Sequence, residues 1–157
     1  MNRGVSTIKH YFPDTTSKQL EQFEALYSAY TAWNTKINVI SRKDIENIYI
    51  HHFLHSLAIA KIYPFVKGQK ILDVGTGGGF PGVPLAVLFP DVEFYLIDSI
   101  QKKIKVVQEV CGVAGIHNVK AQSVRAEELK GSFDFVVSRA VTKLDVFIPW
   151  VYNKIRW

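Results

Sequence analysis

Cysteine is nearly missing from this chain: Cys111 stands alone, which excludes an intrachain disulfide and any cysteine-built zinc cluster. No apolar run approaches roughly 18 residues, so no segment reads as a membrane-spanning helix. The first twenty residues, MNRGVSTIKHYFPDTTSKQL, lack the continuous apolar stretch of a secretory signal. A reducing, cytoplasmic setting is the resulting expectation, with no membrane partner. Internal repeats, low-complexity tracts and a basic tail are also absent. The net charge of +5 is spread out, with seven lysines and arginines against five acids over residues 1–66 and twelve against nine over residues 67–157. Such a balance favours polyanionic partners at long range without conferring sequence recognition. No Ser/His/Asp or Cys/His constellation suggests nucleophilic catalysis.

What is present is a globular composition, 48% hydrophobic and 21% charged over 157 residues, enough for one substantial core. Leu20, Phe23, Leu26, Tyr27, Tyr30 and Trp33 fall at helical spacing within residues 18–33, with Thr16 or Ser17 as a cap. A second helix is expected over residues 43–62, carrying Ile45, Ile48, Tyr49, Phe53, Leu57 and Ile59 and stopped by Pro64. From Lys67 the pattern changes. The runs KILDV, EFYLID, NVKAQ and SFDFVVS read as strands, alternating with helical stretches near 82–89, 101–114 and 142–154. Strand–helix alternation predicts an α/β fold with a doubly wound, mostly parallel Rossmann-like sheet. The expected organisation is a helical segment, residues 1–66, packed on a core, residues 67–157.

The first strand runs into DVGTGGGFPG, where Gly75, Gly77, Gly78, Gly79 and Gly82 make a turn before an apolar helix. Gly77 to Gly82 satisfies the letters G-x-G-x-x-G of a dinucleotide site, but in a late register, since the strand ends before Gly75. Asp73, at that strand's end, is the expected discriminator. An acid there opposes a pyrophosphate, whereas it attracts the ammonium and sulfonium of S-adenosylmethionine, directly or through water. The turn's N–H groups are expected to receive the donor's carboxylate. Asp98 closes the second strand 23 residues after Gly75 and suits the hydroxyls of an adenosyl ribose, a feature common to both cofactor classes. SVRAEEL, residues 123–129, follows the third strand and could lie along an adenine, the alternative being Glu127 and Glu128 as a solvated helix start. Arg139 ends the fourth strand on the same sheet edge, where a surface ion pair is the plainer alternative.

DVGTGGGFPGVPLA, LIDS at 96–99, SVRAEE and SRA together resemble the glucose-inhibited division protein B family, bacterial methyltransferases of small-subunit (16S) ribosomal RNA that modify ring nitrogen 7 of a guanine. Trp33-Asn34, Asn38, His52 and Ser56 match the same pattern, and the likeness runs from about Leu20 to Ala140. The resemblance implies a class I S-adenosylmethionine-dependent methyltransferase fold. Gly75 and Phe80 would be glycine-loop contacts to the donor, Asp98 the ribose acid and Ala126-Glu127 the adenine segment. Arg139 would be the arginine of the reaction crevice, catalytic and cofactor-binding. The implied partner is 16S ribosomal RNA or the small ribosomal subunit. His55 departs from the family, where many members have aspartate. The chain also stops at Trp157 within a helical pattern, short of the family's last strands; the expectation is an exposed fourth strand, and a non-catalytic cofactor- or RNA-binding piece is the alternative function.

Two further substrate classes are disfavoured. Exocyclic-amine methylation calls for Asn/Asp-Pro-Pro-aromatic where Ser138-Arg139-Ala140 stands, and pyrimidine-carbon methylation calls for a cysteine in the crevice, whereas Cys111 falls in a helix. His51 and His55 share a helix face but lack a third ligand, so no metal is expected. Lys102, Lys103 and Lys105 read as a solvated face, and Tyr27, Tyr30 and Trp33 as core rather than base-stacking residues.

Overall fold

The computed structural model describes residues 3–157. Helices α1 (Arg3–Tyr11), α2 (Ser17–Asn34) and α3 (His55–Ile62) precede strand β1 (Lys70–Val74); then α4 (Gly82–Leu88), β2 (Glu93–Asp98), α5 (Gln101–Val113), β3 (Val119–Ser123), β4 (Phe135–Val137) and α6 (Leu144–Val151) follow. The four strands form a parallel sheet in the order β3-β2-β1-β4. β1, flanked on both sides, is an apolar run with only its first residue outside the core, as a strand covered on both faces requires. The chain reverses direction across the sheet at β1, so the crevice beside its carboxyl end is the topological switch point.

Two apolar clusters cover the two faces. The larger joins Phe23, Leu26 and Tyr30 of α2 with Phe53, Leu57, Ile71, Phe94 and Val107, so the N-terminal helices share one core with the sheet. Full burial of each such side chain contributes roughly 1.5–3 kcal/mol. The smaller cluster sets Leu72, Val74 and Ile97 against Ala126, Phe133 and Val151 under α6.

Thr16 caps α2: its Oγ1 accepts from Gln19 N at 3.2 Å while Gln19 Oε1 accepts from Thr16 N at 2.8 Å, a reciprocal capping box. The expected helix over 43–62 is a composite, with a 3-10 turn at Ile45–Asn47, a π-helical turn at Tyr49–Leu54 and α3. α1 escaped the sequence reading; Val5 and Ile8, fully buried, are its core contribution. In the stretch SVRAEEL, Ser123 ends β3 and residues 124–129 are turn and loop rather than a helix start. On the outer side of β4, the chain beyond α6 makes one parallel bridge, Ile155 to Phe133.

Candidate functional site

A cleft of about 320 Å³ opens at the carboxyl edge of β1 and β2, within the range of small-molecule sites. Its floor is Gly75, Ile97 and Asp98; one wall is Val124, Ala126 and Glu127; Ala140, Val141 and Trp150 close the other side. Gly75 has φ +66°, and a Cβ there would stand 2.5 Å from Val141 Cγ2, so only glycine fits this floor position. Asp98 accepts from Gly77 N and Ile100 N, each at 2.9 Å. A carboxylate offers about four lone-pair positions, so capacity remains for a pair of hydroxyls.

The glycine turn is organised from beneath. Asp73 Oδ2 accepts from Thr76 Oγ1 at 2.7 Å and Gly82 N at 2.8 Å. Tyr30, reaching up from α2, donates its buried hydroxyl to Gly78 O at 2.6 Å. The loop after α2 is clipped by Asn34, whose Oδ1 accepts from Val39 N and Ile40 N at 3.0 Å, and Val39 rests on Gly78.

Of the residues expected at the site, Gly75, Asp98, Ala126 and Glu127 line the cleft. Four others do not, for distinct reasons. Asp73 is fully buried and turned under the bend, so the expected direct attraction to a ligand cation is corrected to an anchoring role. Burial also pushes its carboxyl up to about 7 against the hydrogen bonds from Thr76 and Gly82, which weakens the charge argument against a pyrophosphate. Its Oδ1 is buried and has no hydrogen-bond partner among the described residues. Gly77 directs its N–H to Asp98 rather than to the cleft. The Phe80 ring is buried, with Tyr30 at 5.1 Å and His52 at 5.0 Å between ring centroids. Arg139 lies beside the cleft rather than in its wall: its guanidinium sits 5.3 Å from the Phe80 ring centre and hydrogen-bonds His52 at 3.0 Å, so it is no surface ion pair. The turn's amides are likewise largely engaged, those of Gly79 and Phe80 by Thr76 O and that of Thr76 by Ile97 O, which leaves few of the turn's N–H groups for the carboxylate they were expected to receive.

Two further residues shape the site. Lys103, expected on a solvated face, reaches the cleft rim, and Trp150, which carries no sequence signal for the site, closes its side. The lysines after Asp98 thus divide, with Lys102 exposed and Lys103 at the cleft. Lys36 and Lys105 lie 5.2 and 5.9 Å from the half-buried Trp33 ring. Cys111 is a buried side chain of α5, its thiol pushed up to about 12 by burial. Among the described residues no group of three or more His, Cys, Asp or Glu side chains could hold a metal.

A parallel sheet with a cleft at its switch point, a strand-end acid at the cleft floor and a glycine turn are shared by Rossmann-type cofactor folds, and the known proteins similar to this chain make it a class I S-adenosylmethionine-dependent methyltransferase. The fold agrees with coclaurine N-methyltransferase, solved with N-methylheliamine and SAH (TM-score 0.60, 13% identity, 66% of this chain and 32% of that one). It agrees similarly with TrmN from Thermus thermophilus (TM-score 0.55, 16% identity, 66% and 35%). The chain belongs to the GidB family, rRNA small subunit methyltransferase G, whose model matches residues 19–157. It is 60% identical over 152 residues to the ribosomal RNA small subunit methyltransferase G of Flavobacterium psychrophilum, covering 97% of this chain and 73% of the relative. It is 61% identical over 151 residues to the enzyme of that name from Bacteroides thetaiotaomicron, covering 96% and 73%.

Proposed function

We propose that this chain transfers a methyl group from S-adenosylmethionine to ring nitrogen 7 of a guanine in 16S ribosomal RNA. The observation that carries the reading is the identity of about 60% with named small-subunit rRNA methyltransferases along nearly the whole chain, joined to a cleft whose residues fit the donor. Asp98 has lone pairs left for ribose hydroxyls, Gly75 lines the floor at a position where Val141 leaves no room for a Cβ, and Ile97, Val124 and Ala126 offer apolar surface to an adenine. Glu127, at the same wall, would accept from the exocyclic amine of the adenine.

The donor supplies a methyl activated on sulfonium: the guanine lone pair forms the N–C bond, the C–S bond breaks, sulfur leaves as a neutral thioether and the positive charge passes to the base. No proton leaves nitrogen 7, so no general base is required, and the chain's contribution is alignment. Asp98 and the Ala126–Glu127 wall would fix the adenosyl end. Arg139, across Ala140 and Val141 from it, would act at the reacting end.

The test incubates the chain with labelled donor and with small ribosomal subunits lacking the modification, followed by cleavage mapping of 7-methylguanine. Incorporation at one guanine is the expected result. Donor binding without incorporation would favour the non-catalytic alternative, and incorporation at another atom would overturn the assignment of the acceptor.

A further inference from the structure

His52 is placed by a π-helical turn, Tyr49–Leu54, a rare geometry that recurs at functional sites. Its imidazole is largely buried, with 12% of the side chain exposed, and packs on Phe80. Arg139, 87 residues further on, brings its Nη2 to His52 Nδ1 at 3.0 Å and lays its guanidinium over the same Phe80 ring. A guanidinium can only donate. Nδ1 must therefore be the acceptor, which makes the imidazole neutral with its proton on Nε2. That Nε2 faces Asp44 Oδ2 at 3.6 Å, too long for a hydrogen bond, and has no hydrogen-bond partner among the described residues.

We propose that His52 is a positioning residue: its Nδ1 lone pair and the face of Phe80 together hold the Arg139 guanidinium beside the donor cleft, and protonation of the imidazole releases it. This rests on the reading of the cleft as a methyl-donor site. The groups facing His52 are Arg139, Asp44 and His51, while Asp73 and Tyr30 face Arg139 from the glycine turn and α2. Burial first, and then the Arg139 charge, hold His52 below its ordinary value against the opposing pull of Asp44. The neutral, accepting form is thus the resting form near neutrality. An imidazolium would have no lone pair at Nδ1 and would set a like charge against Arg139 at hydrogen-bond distance.

The test is a double-mutant cycle on the full chain, with S-adenosylmethionine affinity and methyl transfer to small-subunit RNA as readouts. H52A should lower whichever parameter R139A lowers, by about tenfold, the effect of losing one hydrogen bond to a charged group. In H52A/R139A the histidine change should cost nothing further, because its target is gone. H52Q, whose amide oxygen accepts without titrating, should recover part of the loss and remove the acid limb that His52 gives the wild-type pH profile. Asp73 titrates in both proteins, and its limb should persist. Losses that add in the double variant, or an acid limb unchanged in H52Q, would overturn the proposal. A wild-type chain inactive on RNA would instead defeat the proposed function. The positioning role is then decided by nitrogen-15 spectra of His52, where an unprotonated Nδ1 supports it and a protonated Nδ1 contradicts it.

Discussion

Two strand-end acids, Asp73 and Asp98, do different work although the sequence presents them alike. Asp98 sits at the cleft floor with lone pairs to spare, and Asp98→Ala should weaken donor binding by about 1–3 kcal/mol through lost hydrogen bonds. Unchanged affinity in a calorimetric titration would remove it from the site. Asp73 carries a pH signature instead. Its carboxyl titrates at about 7 in the folded protein against 3.8 ordinarily, so between these values the folded state keeps a proton that the unfolded state has lost. Stability therefore falls as pH rises through that window and levels off above it. His52, held low, contributes the opposite slope just below its ordinary value. Comparison with Asp73→Asn isolates the carboxyl: the wild type should lose up to about 4 kcal/mol more than the variant between pH 4 and pH 8. Parallel stability curves in urea titrations would show that Asp73 ionises normally. The residue types at both positions were legible in the sequence. The direction of Asp73 was not, because β1 is buried on both faces and the alternation that normally tells inward from outward carries no signal there.

At the scale of elements, the glycine turn and the helix that follows it are held by close approach. A Cβ at Gly82 would lie 2.7 Å from Leu96 side-chain carbons and 2.8 Å from Asp73 Oδ2. Gly82→Ala should cost about 1–3 kcal/mol through overpacking and loosen the turn, seen as a lower melting temperature together with weaker donor binding. Thr16→Ala, which removes the capping box of α2, should cost about 1 kcal/mol and leave donor affinity unchanged, since Thr16 touches nothing at the cleft. Strands β1 and β2 and the start of α2 were readable because apolar runs and caps are local signals. The composite helix at 45–62 was not, because apolar spacing tolerates the one-residue shift that separates α from π geometry. α1 was missed because only Val5 and Ile8 mark its buried side within nine residues that include Gly4.

For the whole molecule, strand–helix alternation was sufficient to give a parallel sheet, whereas the strand order and the sharing of one core by α2 and the sheet depend on tertiary contacts. β4 lies at the sheet border, bridged outward among the described residues at Phe133 alone. Nearby, Leu144 and Ile148 of α6 are 71% and 45% exposed, one helical turn apart. Exposed apolar side chains gathered on one helix face promote association. The apparent mass of this chain from light scattering should rise with concentration, and Leu144→Glu with Ile148→Glu should suppress that rise; the same rise in both proteins would place the sticky surface elsewhere. What the cleft accepts separates a methyl-donor site from a dinucleotide site, and paired calorimetric titrations with S-adenosylmethionine and nicotinamide adenine dinucleotide test that directly. Saturable binding of the first at one site per chain, weakened in Asp98→Ala, with no heat from the second, is the predicted result. Saturable binding of the dinucleotide with none of the methyl donor would contradict it.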